Sequence, residues 1–244
     1  MKKLRIAPPP EGFTLAETLI TLGIIGVVAA MTIPTLVGNY QKKVSAVKLK
    51  KFYSNYAQAL LFSETEHGDI STWNHIEAGS FQDSTRNIPF FTEHLYKYMN
   101  PAAICDMSMS GRKCSAKISQ LENTRMRVLF QDGSCMGIHV TGNSADAGIG
   151  VPGVSFSVLY DINCNSGPNK IGRDQFFFFG KWSIDKNDDI NYYPLAPFGD
   201  GTIVKKYKNC TRDDLKKVCN KSNKTGCAAL IKYDNWEIKD DYPW

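Results

Sequence analysis

The chain carries none of the short motifs that mark common enzyme chemistries. His67, His75, His94 and His139 form no HExxH or similar ligand pair, no GxSxG is present, and no glycine-rich phosphate loop follows a strand. Seven cysteines (Cys105, Cys114, Cys135, Cys164, Cys210, Cys219 and Cys227) include no CxxC pair, which argues against zinc ribbons and thioredoxin-type redox chemistry. Internal repeats and low-complexity tracts are also missing. Charge of one sign is scarce: of a net +5, Lys2, Lys3 and Arg5 against Glu11 supply +2, so about +3 remains from Phe13 onward. That gives little reason to expect nucleic acid as a partner. The chain is therefore read as a non-enzyme with no catalytic residue and no obligatory cofactor.

What the chain has is apolar substance and thiols. Its 244 residues, 43% apolar, allow one domain of ordinary size plus an anchor. Cysteines eight or nine positions apart (105/114, 210/219, 219/227) suit disulfide-closed loops in an oxidising compartment. An odd number leaves one thiol over.

The most informative stretch is EGFTLAETLITLGIIGVVAAMTIPTLVGNY, residues 11–40. From Phe13 to Val37 it is almost wholly apolar and long enough to span a bilayer as a helix. Glu17 stands four residues inside it, where a carboxylate costs up to about 2.5–3.5 kcal/mol at the bilayer centre. Basic residues flank the run on both sides, so the positive-inside rule does not fix its orientation, and the cysteines place the C-terminal domain outside. A secretory signal cut after Ala30 and an uncleaved anchor both account for the apolar run. Neither accounts for Gly12, Phe13 and Glu17 in one register.

That register, with Pro34 twenty-one residues after Phe13, resembles the N-terminus of type IV prepilins and type II secretion pseudopilins. The resemblance implies cleavage between Gly12 and Phe13 by a prepilin peptidase and N-methylation of Phe13. It also implies assembly with other pilin-like subunits, driven by an inner-membrane platform and a cytoplasmic ATPase. Glu17 of one subunit would then meet the Phe13 amine of its neighbour. Membrane lipid would be the partner before assembly, with the N-terminus cytoplasmic, and a periplasmic or cell-surface filament the destination. The competing expectation is a signal-anchored periplasmic binding domain or hydrolase that never polymerises.

The resemblance also implies an α+β, pilin-like fold, with a long N-terminal helix packed on an antiparallel sheet. It divides the chain into a leader (1–12), a membrane and assembly half-helix (13–37), an amphipathic half-helix (38–66) and a globular domain (67–244). Val44, Val47, Phe52, Tyr56, Ala59 and Leu60 approximate one helix face, Gly68 is a stop, and Pro34 should interrupt the helix. The segment from Thr14 to Glu66 would be roughly 80 Å long at 1.5 Å per residue. Lysines at 42–51 read as a solvated helix face.

Beyond the helix, Arg127–Gln131, Asp132-Gly133 and Ser134–Val140 form a strong hairpin signal. Val154–Tyr160 and Gln175–Phe179 read as strands, CAALIKYDNWEI as a hairpin turning at Asp234-Asn235, and Thr211 as the cap of a short helix. Residues 69–90 and 101–120 read as polar, turn-rich loops. In the 161–174 loop, Asp161, Asn163, Asn165 and Asp174 are oxygen donors of the type calcium prefers, but the EF-hand glycine falls one place late and Gly172 stands where the bidentate Glu belongs. The competing reading is a turn whose Asx side chains bond their own backbone. Cys135–Cys164, Cys105–Cys114 and a pair among Cys210, Cys219 and Cys227 are the pairings the spacing favours.

Overall fold

A computed structural model describes residues 12, 14–70, 73, 84–106, 126–142, 153–164, 166–184, 190–197 and 211–244. It divides the chain into two compact units, Met1–Lys42 and Lys43–Trp244.

Within the first unit, the described residues from Leu15 onward are helical, part of α1 (Leu15–His67). Their apolar side chains lie open: Leu15, Leu19, Ile20, Leu22, Ile24, Ile25 and Met31 are all exposed. Hydroxyls in this stretch turn inward on the helix itself, with Thr18 donating to the Leu15 carbonyl, Thr21 to Thr18 and Thr32 to Val28. The expected interruption at Pro34 does not occur, because α1 runs through it. Proline removes one N–H, and the intact turns on either side carry the helix past that gap.

The second unit is a helix-on-sheet layer. Among its described residues six strands form one antiparallel meander in sequence order: β1 Ala103–Asp106, β2 Met126–Leu129, β3 Cys135–Gly142, β4 Gly153–Asp161, β5 Gln175–Ile184 and β6 Ile190–Pro197. The register aligns side chains in rows across β3, β4 and β5: Met136–Tyr160–Phe176, then Ile138–Val158–Phe178, then Val140–Phe156–Gly180. Because the strand period is two, one face of the FFFF run (Phe176, Phe178) is buried while Phe177 and Phe179 are half-buried on the other.

The later part of α1 covers that buried face. Phe52 stacks on Tyr160 at 3.9 Å and lies 5.4 Å from Phe178, while Tyr56 lies 6.0 Å from Phe156. Leu49, Ala59, Leu60 and Ser63 complete the buried stripe. Val47, assigned to this stripe from spacing, is 67% exposed, and Leu49 takes its place. A stripe at 3.6-residue period drifts around the helix, and only the sheet decides which residues it meets. Gly68, at φ 84°, closes the helix in the left-handed conformation.

The hairpin at Asp132-Gly133 forms as read: Gly133 has φ 80°, Phe130 N donates to the Ser134 carbonyl, and Asp132 Oδ1 accepts from Ser134 N and Oγ. Two segments read as loops contain structure: α2 (Ser84–His94) falls partly in 69–90 and β1 in 101–120. A short helix, α3 (Tyr96–Met99), follows α2.

CAALIKYDNWEI is not a hairpin. Cys227–Tyr233 is helical (α5), and Cys227, Ala228, Ala229, Leu230 and Ile231 are buried without alternation. Asn235 and Trp236 adopt positive φ, and Trp236 N donates to the Ile231 carbonyl, so the turn signal serves a helix C-terminus. The preceding helix, α4 (Arg212–Val218), starts as expected with a capping box between Thr211 and Asp214. Arg212 forks onto Asp234 and Asp241, tying α4 to the C-terminal segment.

Candidate functional site

The N-terminal apolar segment begins with a local device. Thr14 N and Thr14 Oγ1 both donate to Glu17 Oε2, at 2.9 and 2.8 Å, and Glu17 N donates to Thr14 Oγ1 at 3.3 Å. This is a reciprocal capping box in which a Thr three residues before a Glu satisfies two helix-start donors. The negative end of Glu17 therefore sits at the positive end of the helix dipole. Gly12 and Glu17 are exposed, and Pro34 lies within the same helix. Phe13 lies outside the described residues. By length and composition α1 can cross a membrane, and its most apolar window has no buried residue. Such a segment suits an anchor or a signal sequence.

The disulfides sit in the second unit. Cys135 bonds Cys164, joining β3 to the 161–174 loop, and Cys219 bonds Cys227, joining α4 to α5. Cys105 is also disulfide-bonded, and Cys114 and Cys210 lie outside the described residues. Disulfides of this kind point to an extracytoplasmic domain.

The 161–174 loop is held by its own groups. Asp161 Oδ1 accepts from Asn163 N and Cys164 N, and its Oδ2 accepts from Gln175 Nε2. Asp174 accepts from Asn169 N and Lys170 N at 2.7 and 2.6 Å and from Asn163 Nδ2 at 3.4 Å. Every carboxylate oxygen of the pair thus meets an N–H donor, the arrangement of an Asx-rich turn. Asn165 lies outside the described residues, and no cluster of three or more His, Cys, Asp or Glu suited to a metal occurs among those described. Lys48 Nζ reaches the Ile162 carbonyl at 2.8 Å and Lys51 Nζ reaches Asp132 at 3.2 Å, so two of the lysines at 42–51 hold the domain together.

Sequence patterns gave no sign of one further cluster. His94 is 3% exposed, stacked on Trp73 at 4.1 Å, and 5.1 Å from His67. Its Nδ1 is buried with no hydrogen-bond partner among the described residues. Burial pushes the His94 imidazole down to about 4, with Glu93, 4.0 Å from Nε2, opposing and His67 adding to the shift. Between about pH 6.5 and 4 the unfolded chain takes up a proton here that the folded chain refuses, so stability falls as pH falls through that window. Asp161 acts with the opposite sign. Burial raises its carboxyl to about 6, so its contribution falls as pH rises from 3.8 to 6. The two are separated by comparison with His94→Phe, which keeps the stack on Trp73. Denaturant titrations should show the variant gaining about 3 kcal/mol over wild type between pH 7 and pH 4. Parallel pH profiles would refute the assignment.

A family model matches residues 35–244. The chain belongs to that family, DUF6613, a family of unknown function. The matched region begins directly after Pro34 and takes in the later part of α1 and the whole described sheet. No curated protein and no solved structure matches the chain. The family therefore brings no residue roles, and the pilin-like architecture rests on the helix and sheet themselves.

Proposed function

We propose that the chain is a structural subunit (a pilin, minor pilin or pseudopilin) of a type IV pilus or type II secretion filament, cut after Gly12 by a prepilin peptidase and assembled through its N-terminal helix. The observation that carries this reading is the start of α1: a Thr14–Glu17 box followed by a membrane-length helix whose apolar side chains are exposed. An apolar surface of this extent needs a solvent or a partner, and lipid followed by the helices of neighbouring subunits supplies both in turn. Cleavage after Gly12 would give Phe13 a protonated α-amine that methylation does not neutralise, the natural counter-charge for Glu17 of another copy. The domain that α1 carries has its own aromatic core and disulfides, suited to life outside the cytoplasm.

Shearing cells of the native host and pelleting the released polymer tests this reading. The chain should appear in the polymer together with other pilin-like proteins. A chain that stays wholly in the membrane under conditions where such filaments form would instead fit an anchored binding domain.

A further inference from the structure

The chain enters the second unit at Lys43, and Lys48, five residues on, holds the Ile162 carbonyl. The 161–174 loop therefore lies at the end of this unit where α1 comes in. A second loop, closed by the Cys219–Cys227 disulfide, packs onto it there. Gly172, at φ 78°, leaves room for the stem of Lys224: a Cβ built on the glycine would fall 3.1 Å from Lys224 Cβ and 3.2 Å from its Cδ. Tyr242 Oη donates to the Gly172 carbonyl, and the Arg173 guanidinium lies 5.3 Å from the Trp244 ring. These contacts fix the backbone that carries Lys170, Arg173 and Lys224. Among the described residues no carboxylate pairs with the Lys170 or Lys224 side chain. Burial, with Lys170 and Arg173 nearby, holds the Lys224 ammonium below its ordinary value, and no acid opposes the shift. The acids of the loop, Asp161 and Asp174, are buried and turned onto N–H donors. Lys43 and Lys50 stand exposed on the same stretch of α1 as Lys48. Like charges repel, so the folded chain itself gains nothing from this grouping.

We propose that this end of the second unit docks on a bilayer surface of anionic phospholipid. The apolar run ends at Val37, six residues before Lys43, so an anchor in the bilayer tethers these cations beside lipid headgroups. A charged surface is recognised by the sign and density of charge and needs no shaped pocket: each Lys or Arg held near it favours docking by about fivefold. A soluble polyanion is the poorer occupant, because the tether gives the bilayer the far higher local concentration. The inference rests on the membrane reading of α1 and is independent of whether the chain polymerises.

The test is NMR on the full chain in lipid nanodiscs, made of phosphatidylcholine alone or with about one part in three of phosphatidylglycerol. Each carries a trace of headgroup-spin-labelled lipid, and paramagnetic broadening of the Lys170, Arg173 and Lys224 amide signals reports contact with the surface. Broadening should be severalfold stronger with the anionic lipid. It should fall to the phosphatidylcholine level at about 1 M salt, where the screening length is about 3 Å. The Lys170→Gln/Lys224→Gln variant should lower the docked-to-free ratio about fivefold per lysine removed. Lys170→Gln alone, at an exposed position, provides a second reading if the double variant folds poorly. Equal broadening in the two lipids, or broadening unchanged in the variants, would overturn the proposal alone. So would single-stranded DNA shifting these signals where anionic lipid leaves them unbroadened. A chain that fails to float with phosphatidylcholine vesicles would overturn the anchor reading, and the proposal with it.

Discussion

Glu17→Ala is expected to remove the chain from filaments while leaving the globular domain folded. Two effects are combined in this substitution, and their sizes differ. Losing the Thr14–Glu17 box costs about 1 kcal/mol of helix-start stability. Losing the counter-charge of a desolvated amine costs about 3–5 kcal/mol, because one partner of a buried pair is left alone. The second term alone corresponds to a drop of 10²-fold or more in the ratio of polymerised to membrane-resident chain. Two companion variants separate the terms. Thr14→Ala breaks the box and keeps the charge, so incorporation should fall only severalfold. Glu17→Gln keeps an oxygen acceptor for Thr14 and loses the charge, so it should behave like Glu17→Ala. If Glu17→Gln assembles normally, Glu17 is only a cap.

The largest effect expected on the globular domain comes from a single methyl group. Gly180 lies directly opposite Phe156 on the neighbouring strand, and a Cβ built on it would fall 2.0 Å from Phe156 Cζ. The ring has no free side to move to, since it is buried and faces Tyr56 on α1 at 6.0 Å. Gly180→Ala should therefore cost at least about 3 kcal/mol, the upper end of ordinary overpacking. Phe156→Ala leaves a cavity under Tyr56 and should cost about 3–5 kcal/mol. In the double variant the new methyl occupies part of the space the ring vacated. The combined loss should then be about 1–3 kcal/mol less than the sum of the two single losses, read by denaturant unfolding with disulfides intact. Strict additivity would mean that the ring does not lie over the glycine.

The hairpin at Asp132-Gly133 and the strands at 154–160 and 175–179 were legible because local signals and tertiary demands agree there. A turn residue that needs positive φ sits between alternating apolar runs, and the sheet uses that alternation. The segment 227–238 misled because a short buried run has no readable period, and Asp-Asn ends a helix as readily as it turns a hairpin. Val47 and Leu49 were exchanged for a related reason: helix spacing marks a stripe, but the aromatic row on the sheet selects its centre. At the N-terminus the position of Glu17 was plain from sequence, whereas its hydrogen bonds to Thr14 required coordinates.

Whether the chain is a processed filament subunit is decided by the mass and N-terminal sequence of the mature protein from native membranes. A processed subunit begins at N-methylated Phe13. A chain that begins at Met31, or one that keeps Met1, would contradict it.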